Sequence, residues 1–321
     1  MSLRDRFLAI GVALLWGINF LAIHAMLGQF PPLLAGALRF AVIAVPTILF
    51  IPRPKVRPGW LIGYGLGFGT GQFAFLFLAM DAGMPTGLAS LVLQASAPFT
   101  VVLAGSFLRE RLSARQLTGI ALAVGGMAMI AWHRAEAAAL LPVLLTLLGA
   151  LSWAIGNICT RQARPANPLH LALWMSVVPP IPMFALSLLF EGPAAQWHSL
   201  ATLGTASGWR GLGGLAYVVI VGTVIGTGVW VTLMRRNAAG VVAPFSLLVP
   251  VVGMTASFLL LGERPAVIEV FAGIVVVGGV LLGSLRERRR SAREPASPAL
   301  TTRESGSRDA LAHAERGTHA R

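Results

Sequence analysis

The sequence predicts an all-α integral membrane protein with ten transmembrane helices, built as two inverted five-helix repeats. Three observations carry this expectation. Hydrophobic residues make up 56% of the 321-residue chain and charged residues only 12%, about half the charged share of an ordinary soluble domain. Ten apolar stretches of membrane-crossing length follow one another along the chain. One of them, Met84 to Arg111, returns later as Gly240 to Arg264.

The recurrence sets the organisation. MPTGLASLVLQASAPFTVVLAGSFLRER and GVVAPFSLLVPVVGMTASFLLLGER match at Pro98 and Pro250, and again at Glu110-Arg111 and Glu263-Arg264. Trp16 and Asn19 in the first half resemble Trp153 and Asn157 in the second. Gly119 with Gly125-Gly126 resembles Gly273 with Gly278-Gly279. The repeats run over 1–134 and 135–288, with a tail at 289–321. Each repeat holds five spans, an odd number, so the two sit in the membrane with opposite orientation. Many secondary transporters follow this plan, with the substrate site between the repeats near the midplane.

The spans, in order, are Phe7–Leu27, Pro32–Ile51, Trp60–Met80, Met84–Leu108, Gln116–Trp132, Ala137–Cys159, Leu169–Phe190, Gly211–Met234, Gly240–Leu261 and Val267–Leu285. Arg4 and Arg6 precede the first as in a signal peptide, but the apolar run is too long for one, so it reads as an uncleaved span. Short connections predict that successive spans are antiparallel neighbours. The longer Glu191–Arg210 connection carries Trp197 and Trp209, residues that suit a membrane interface. Beyond Leu285 the chain turns charged and Ala/Ser-rich, which predicts a disordered tail whose basic start meets anionic lipid.

Charge placement gives orientation. With both termini cytoplasmic, the cytoplasmic segments hold sixteen Lys and Arg residues and the opposite segments hold three, Arg134, Arg210 and Arg264. That asymmetry predicts a multi-pass membrane protein with both ends inside. It also explains the formal charge of +13 without a nucleic-acid partner. The single cysteine, Cys159, excludes an intrachain disulfide framework.

Polar and flexible positions inside the spans are the candidate machinery. Asn19, Gln72 and Gln94 are mid-span amides that need partners or water, because hydrocarbon supplies neither. Such amides suit a zwitterion, donating to its carboxylate and accepting from its ammonium. Arg39 is the one clear intramembrane charge, either reaching the interface or attracting a substrate carboxylate. With Trp16, Trp153 and Asn157 these form the predicted substrate-binding set. Pro98 and Pro250 each remove a backbone hydrogen bond and predict matching kinks. Gly63, Gly67 and Gly71 share one face of span 3, with Gly65 and Gly69 on a second. Gly222 and Gly226 repeat the device in span 8. Small residues allow close helix approach, and Gly67, Gly71, Gly222 and Gly226 are also candidate gating positions.

Several chemistries are missing. The six histidines are scattered without metal spacing, and no nucleophile elbow, phosphate-binding loop or ATP-binding domain is present. No enzyme activity, metal or cofactor is therefore expected. No Asp or Glu lies deep in a span, which leaves Glu269 and His24 as the only candidates for proton coupling. The expected partners are a small-molecule substrate, membrane lipids and, for a homodimer, a second copy of the chain; a monomer fits equally.

LLWGINF, ALRF at 37–40, the proline-containing fourth span ending in ERL, and GIALAVGG form one series. LSWAIGN, LLVPVVG, LLLGER and AGIVVVGG repeat it. Together they resemble the EamA type of the drug/metabolite transporter superfamily, over nearly all of 1–285. The runs GYGLGFGTGQFAFLF, GMPTGLASLVLQASAPFT, ERLSARQLTGIALAVGG and APFSLLVPVVG look like the branch that exports O-acetylserine and cysteine. Arg235-Arg236-Asn237 and Pro265 depart from that likeness. The resemblance implies alternating-access export of cysteine, O-acetylserine or related small amino-acid metabolites. Another amino acid, a purine or a drug on the same fold is the alternative. A membrane-embedded enzyme or a channel would be a different class.

Overall fold

A computed structural model describes residues 1–109, 112–136, 139–237 and 239–284. Glu110-Arg111, Ala137 at the start of span 6, Leu285 and the basic tail lie outside the described residues. Among the described residues every regular element is helical. Nine helices among the described residues are long and apolar enough to cross a membrane: Leu3–Leu27, Pro32–Phe50, Pro58–Asp81, Thr86–Phe107, Ala114–Glu136, Leu140–Ala163, Pro168–Phe190, Ala206–Arg236 and Ala243–Leu261. The shorter Val267–Ser284 helix makes a tenth. These are spans 1 to 10 below. Large apolar side chains such as Ile181, Leu189, Phe190 and Val267 point outward, as a hydrocarbon solvent requires. The 191–210 connection folds into a short helix, Gly192–Ala201, and leads into span 8, with Trp197 and Trp209 both exposed.

The helix pairings obey a two-fold relation that maps each span onto the one five places later. Span 1 packs on spans 8 and 9, and span 6 packs on spans 3 and 4. Spans 2 and 7, 4 and 9, and 5 and 10 pair with each other. The expectation that successive spans would be close neighbours is corrected here. Consecutive spans alternate in direction, but spans 1 and 2, or 3 and 4, touch only slightly. The extensive packing is between repeats, because the small-residue faces that permit close approach meet across the pseudo-axis. Gly67 lies against the Gly156 and Ser152 backbone, and Gly63 against Cys159. Gly65 and Gly69, on the second face, meet Val178 and Pro179 of span 7. Spans 5 and 10 meet backbone to backbone at Gly119, Gly279 and Gly283.

The helical register is broken at matched depths. Span 3 is π-helical over Gly65–Gly71, and span 8 over Tyr217–Ile225. Span 4 tightens to a 3₁₀ turn at Leu93–Ala95, and span 9 at Ala243–Leu247. Pro98 and Pro250 each stand third in the α-helix that follows, Ser96–Phe107 and Leu248–Leu261. The expected proline kink is therefore a break into two helical pieces, with the 3₁₀ turn placed just before the residue that cannot donate. Both prolines are buried. Span 7 is interrupted as well, between Met175 and Pro180.

Candidate functional site

The π segment of span 8 gathers most of the first-half candidates. Its register shift sends the Gly226 N–H to the Val221 carbonyl, five residues back. The Gly222 carbonyl thereby loses its α-helical partner, and Trp16 Nε1 donates to it at 2.9 Å. Gly226 is small because the Trp16 indole lies over it: a Cβ there would stand 2.6 Å from Nε1. Gly222 is small because the Asn19 amide fills the space beside it. Trp16 also packs on Trp230, ring centroids 5.1 Å apart.

Arg39 reaches the next residue of the same segment. Its Nη2 donates to Thr223 Oγ1 at 3.2 Å, and Thr223 Oγ1 donates in turn to the Val218 carbonyl at 2.8 Å. The guanidinium lies over the Phe73 ring at 3.8 Å, with Phe40 on its flank at 5.0 Å. Only 6% of the residue is exposed, so the snorkelling alternative is corrected: the ring stack holds the charge inside the bundle. No carboxylate pairs with it among the described residues, and its Nε and Nη1 have no hydrogen-bond partner. Asn19 Oδ1 and Gln72 Oε1 are likewise buried without a partner. Gln72 follows the π segment of span 3 directly, next to Phe73. Two guanidinium nitrogens and two amide oxygens thus lie within spans 1, 2 and 3 without hydrogen-bond partners. A buried polar group left so forfeits a hydrogen bond it would keep in water.

The second-half candidates are arranged differently. Trp153 meets Phe68 edge to face at 5.7 Å. Asn157 Nδ2 donates to Thr100 Oγ1 at 3.1 Å, so this amide donor is already occupied. Gly67 and Gly71 pack on span 6 at Gly156 and Ser152. Gln94 lies in the 3₁₀ turn of span 4, half-buried, away from the Arg39 group in sequence and in helix pairing. Pro98 lines a small cavity with Gln116, Gly119 and Gly283 of spans 5 and 10. The sequence does not single out Thr223, Phe73 or Phe40. No sequence signal marks them, since a threonine or a phenylalanine inside an apolar span is ordinary there. The proton-coupling candidates lie elsewhere: His24 is exposed, and Glu269 is buried at a helix end in an ion pair with Arg134, Nε to Oε1 2.7 Å.

Comparison with known proteins matches this architecture to one family. The profile of the EamA-like transporter family matches residues 6–132 and again 140–285. A protein of Escherichia coli strain K12 described as a probable amino-acid metabolite efflux pump is 42% identical over 299 residues, 91% of this chain and 98% of that protein. A Salmonella typhimurium protein with the same description is 41% identical over 91% of this chain and 99% of its own length. A probable terminal-alkyne amino-acid exporter of Streptantibioticus cattleyicolor is 27% identical over 82% of this chain and 86% of its own. A solved crystal structure aligns with a TM-score of 0.60 at 21% identity, covering 90% of this chain and 100% of that one, a likeness of fold.

Proposed function

The chain belongs to the EamA-like transporter family, and from that premise we propose that it exports small amino-acid metabolites, cysteine and O-acetylserine among them, across the cell inner membrane. Its membrane-crossing helices and family membership make it a multi-pass membrane transporter. The finer reading rests on one observation, the two buried Arg39 nitrogens and the buried Asn19 and Gln72 amide oxygens that have no hydrogen-bond partner. In this reading the substrate carboxylate takes the two free guanidinium nitrogens. The ammonium donates to Asn19 Oδ1 and Gln72 Oε1. Trp16, Phe73 and the π segment of span 8 shape the walls. The matched breaks in spans 3 and 8, and in 4 and 9, are where each repeat flexes, so that one arrangement opens to one side and its two-fold equivalent to the other. The descriptions of the two enterobacterial relatives support the substrate class.

Purified protein in liposomes tests this with flux of cysteine, O-acetylserine, threonine and homoserine. The expected result is saturable, counterflow-capable flux of the first two. Arg39→Gln is expected to lower it by roughly 10- to 100-fold, since a hydrogen bond to a charged group contributes about 1.5–3 kcal/mol. Robust flux of an unrelated solute with none of cysteine or O-acetylserine would overturn the substrate assignment. Unchanged flux in Arg39→Gln would remove Arg39 from the site.

A further inference from the structure

Two carboxylates at one end of the bundle hold the starts of helices that belong to the opposite repeat. This end carries the 28–31, 82–85, 191–205 and 262–266 connections. Glu263, just past span 9, accepts the Thr86 and Gly87 N–H groups of span 4 at 2.8 and 3.0 Å. Glu191, at the end of span 7, accepts the Leu33 and Leu34 N–H groups of span 2 at 2.6 and 3.1 Å. Ser187 Oγ also donates to the Glu191 carboxylate, and Gln196 Nε2 donates to that hydroxyl at 2.8 Å.

These helix starts have no cap of their own. Span 2 follows Pro31 and span 4 follows Pro85, and neither proline makes a side-chain cap bond. Span 8, which begins at the same end, is capped locally by Thr205, and span 7, at the other end, by Asn167. Among the described residues, spans 2 and 4 are the ones whose starts take a carboxylate from the other half of the molecule, and an anion at a helix start is favoured by both hydrogen bonding and the helix dipole. Both contacts join the two repeats at this end, and both separate if the repeats part there.

Space for that separation exists beside one of them. A cavity of about 200 Å³ is lined by Leu88, Arg134, Met254, Glu263, Arg264 and Glu269. If the span 4 N–H groups leave Glu263, its charge finds Arg134 or Arg264 across the same cavity. Arg134 in turn already holds Glu269.

We infer that Glu191 and Glu263 are the positioning residues that keep this end of the transporter shut, each through a two-pronged carboxylate contact from the second repeat to a helix start of the first. The inference rests on the alternating-access reading but not on any particular substrate. Opening exchanges the backbone N–H partners of Glu263 for the cavity arginines, and those of Glu191 for water.

The test is thiol labelling of the full chain in liposomes, in a Cys159→Ala background. Leu88→Cys and Ala37→Cys each place a reporter that is 3–4% exposed in the closed arrangement, one turn or less inside a latch. Glu263→Gln is expected to raise labelling at position 88 by a membrane-impermeant maleimide roughly 5- to 30-fold, the factor that one or two kcal/mol produces. Glu191→Gln does the same at position 37. Each variant leaves the other reporter less affected. Thermal melting is recorded in parallel, so that a variant that merely unfolds is recognised; should one latch variant fail to fold, the other carries the test. Unchanged labelling in a folded variant, with or without a lowered melting temperature, overturns the inference. Increased labelling in a protein that moves none of the amino acids tested keeps the latches and discards the substrate reading.

Discussion

At the residue scale, glycine acts here through what lies against it. A Cβ on Gly67 would stand 2.8 Å from the Gly156 nitrogen and 2.9 Å from the Ser152 oxygen, both backbone atoms that cannot swing aside. Gly67→Ala is expected to destabilise the protein by about 1–3 kcal/mol. Gly125 has nothing within 4 Å of its would-be Cβ, so Gly125→Ala is expected to gain up to ~1 kcal/mol of helix propensity. Melting curves in detergent check the contrast, and equal effects at the two positions would contradict the close approach of spans 3 and 6. The importance of the span 3 glycines is legible from their four-residue spacing. Arg39 is legible too, because a charge inside an apolar span stands out. Thr223 is not: a threonine bonded to its own helix backbone has the same sequence signature whether or not an arginine also reaches it. The latches of Glu191 and Glu263 are hidden for a related reason, since a glutamate at a span end reads as an ordinary interfacial charge.

At the scale of elements, span existence follows from apolar length, and the ends agree to within several residues. The breaks inside the spans are another matter. A π segment differs from an α-helix by one residue of register, and that shift leaves composition and apolar length unchanged. Pro98 and Pro250 point to irregularity, but not to the 3₁₀ turns that absorb it upstream. Pro98 has no N–H to offer the Gln94 carbonyl four residues back. Pro98→Ala restores that donor, so span 4 is expected to straighten, with a gain of about 1 kcal/mol in stability and a loss of transport rate. Paired melting and liposome flux measurements decide it. Unaltered flux would mean that neighbouring helices, not the proline, set the turn.

At the scale of the whole molecule, the repeat is legible from a handful of matched residues, but the pairing of helices is not. Nothing in the short connections says that span 1 leans on spans 8 and 9 and barely on span 2. The Lys and Arg distribution predicts both termini on the cytoplasmic side. A fluorescent reporter at either terminus is expected to be active there, and an export-dependent phosphatase at the same positions inactive. The reverse result would invert the transporter. The interlocking of repeats also has a consequence for biogenesis. Arg39 and its hydroxyl partner Thr223 are 184 residues apart, which at 5–20 residues per second is roughly 10–40 s of synthesis. For that interval the nascent chain carries a guanidinium whose hydroxyl partner is still unmade, with only aromatic rings for company. The ribosome therefore feeds the membrane a half-molecule that is incomplete by construction, and the arrival of the eighth span is the moment at which Arg39 gains its hydroxyl partner.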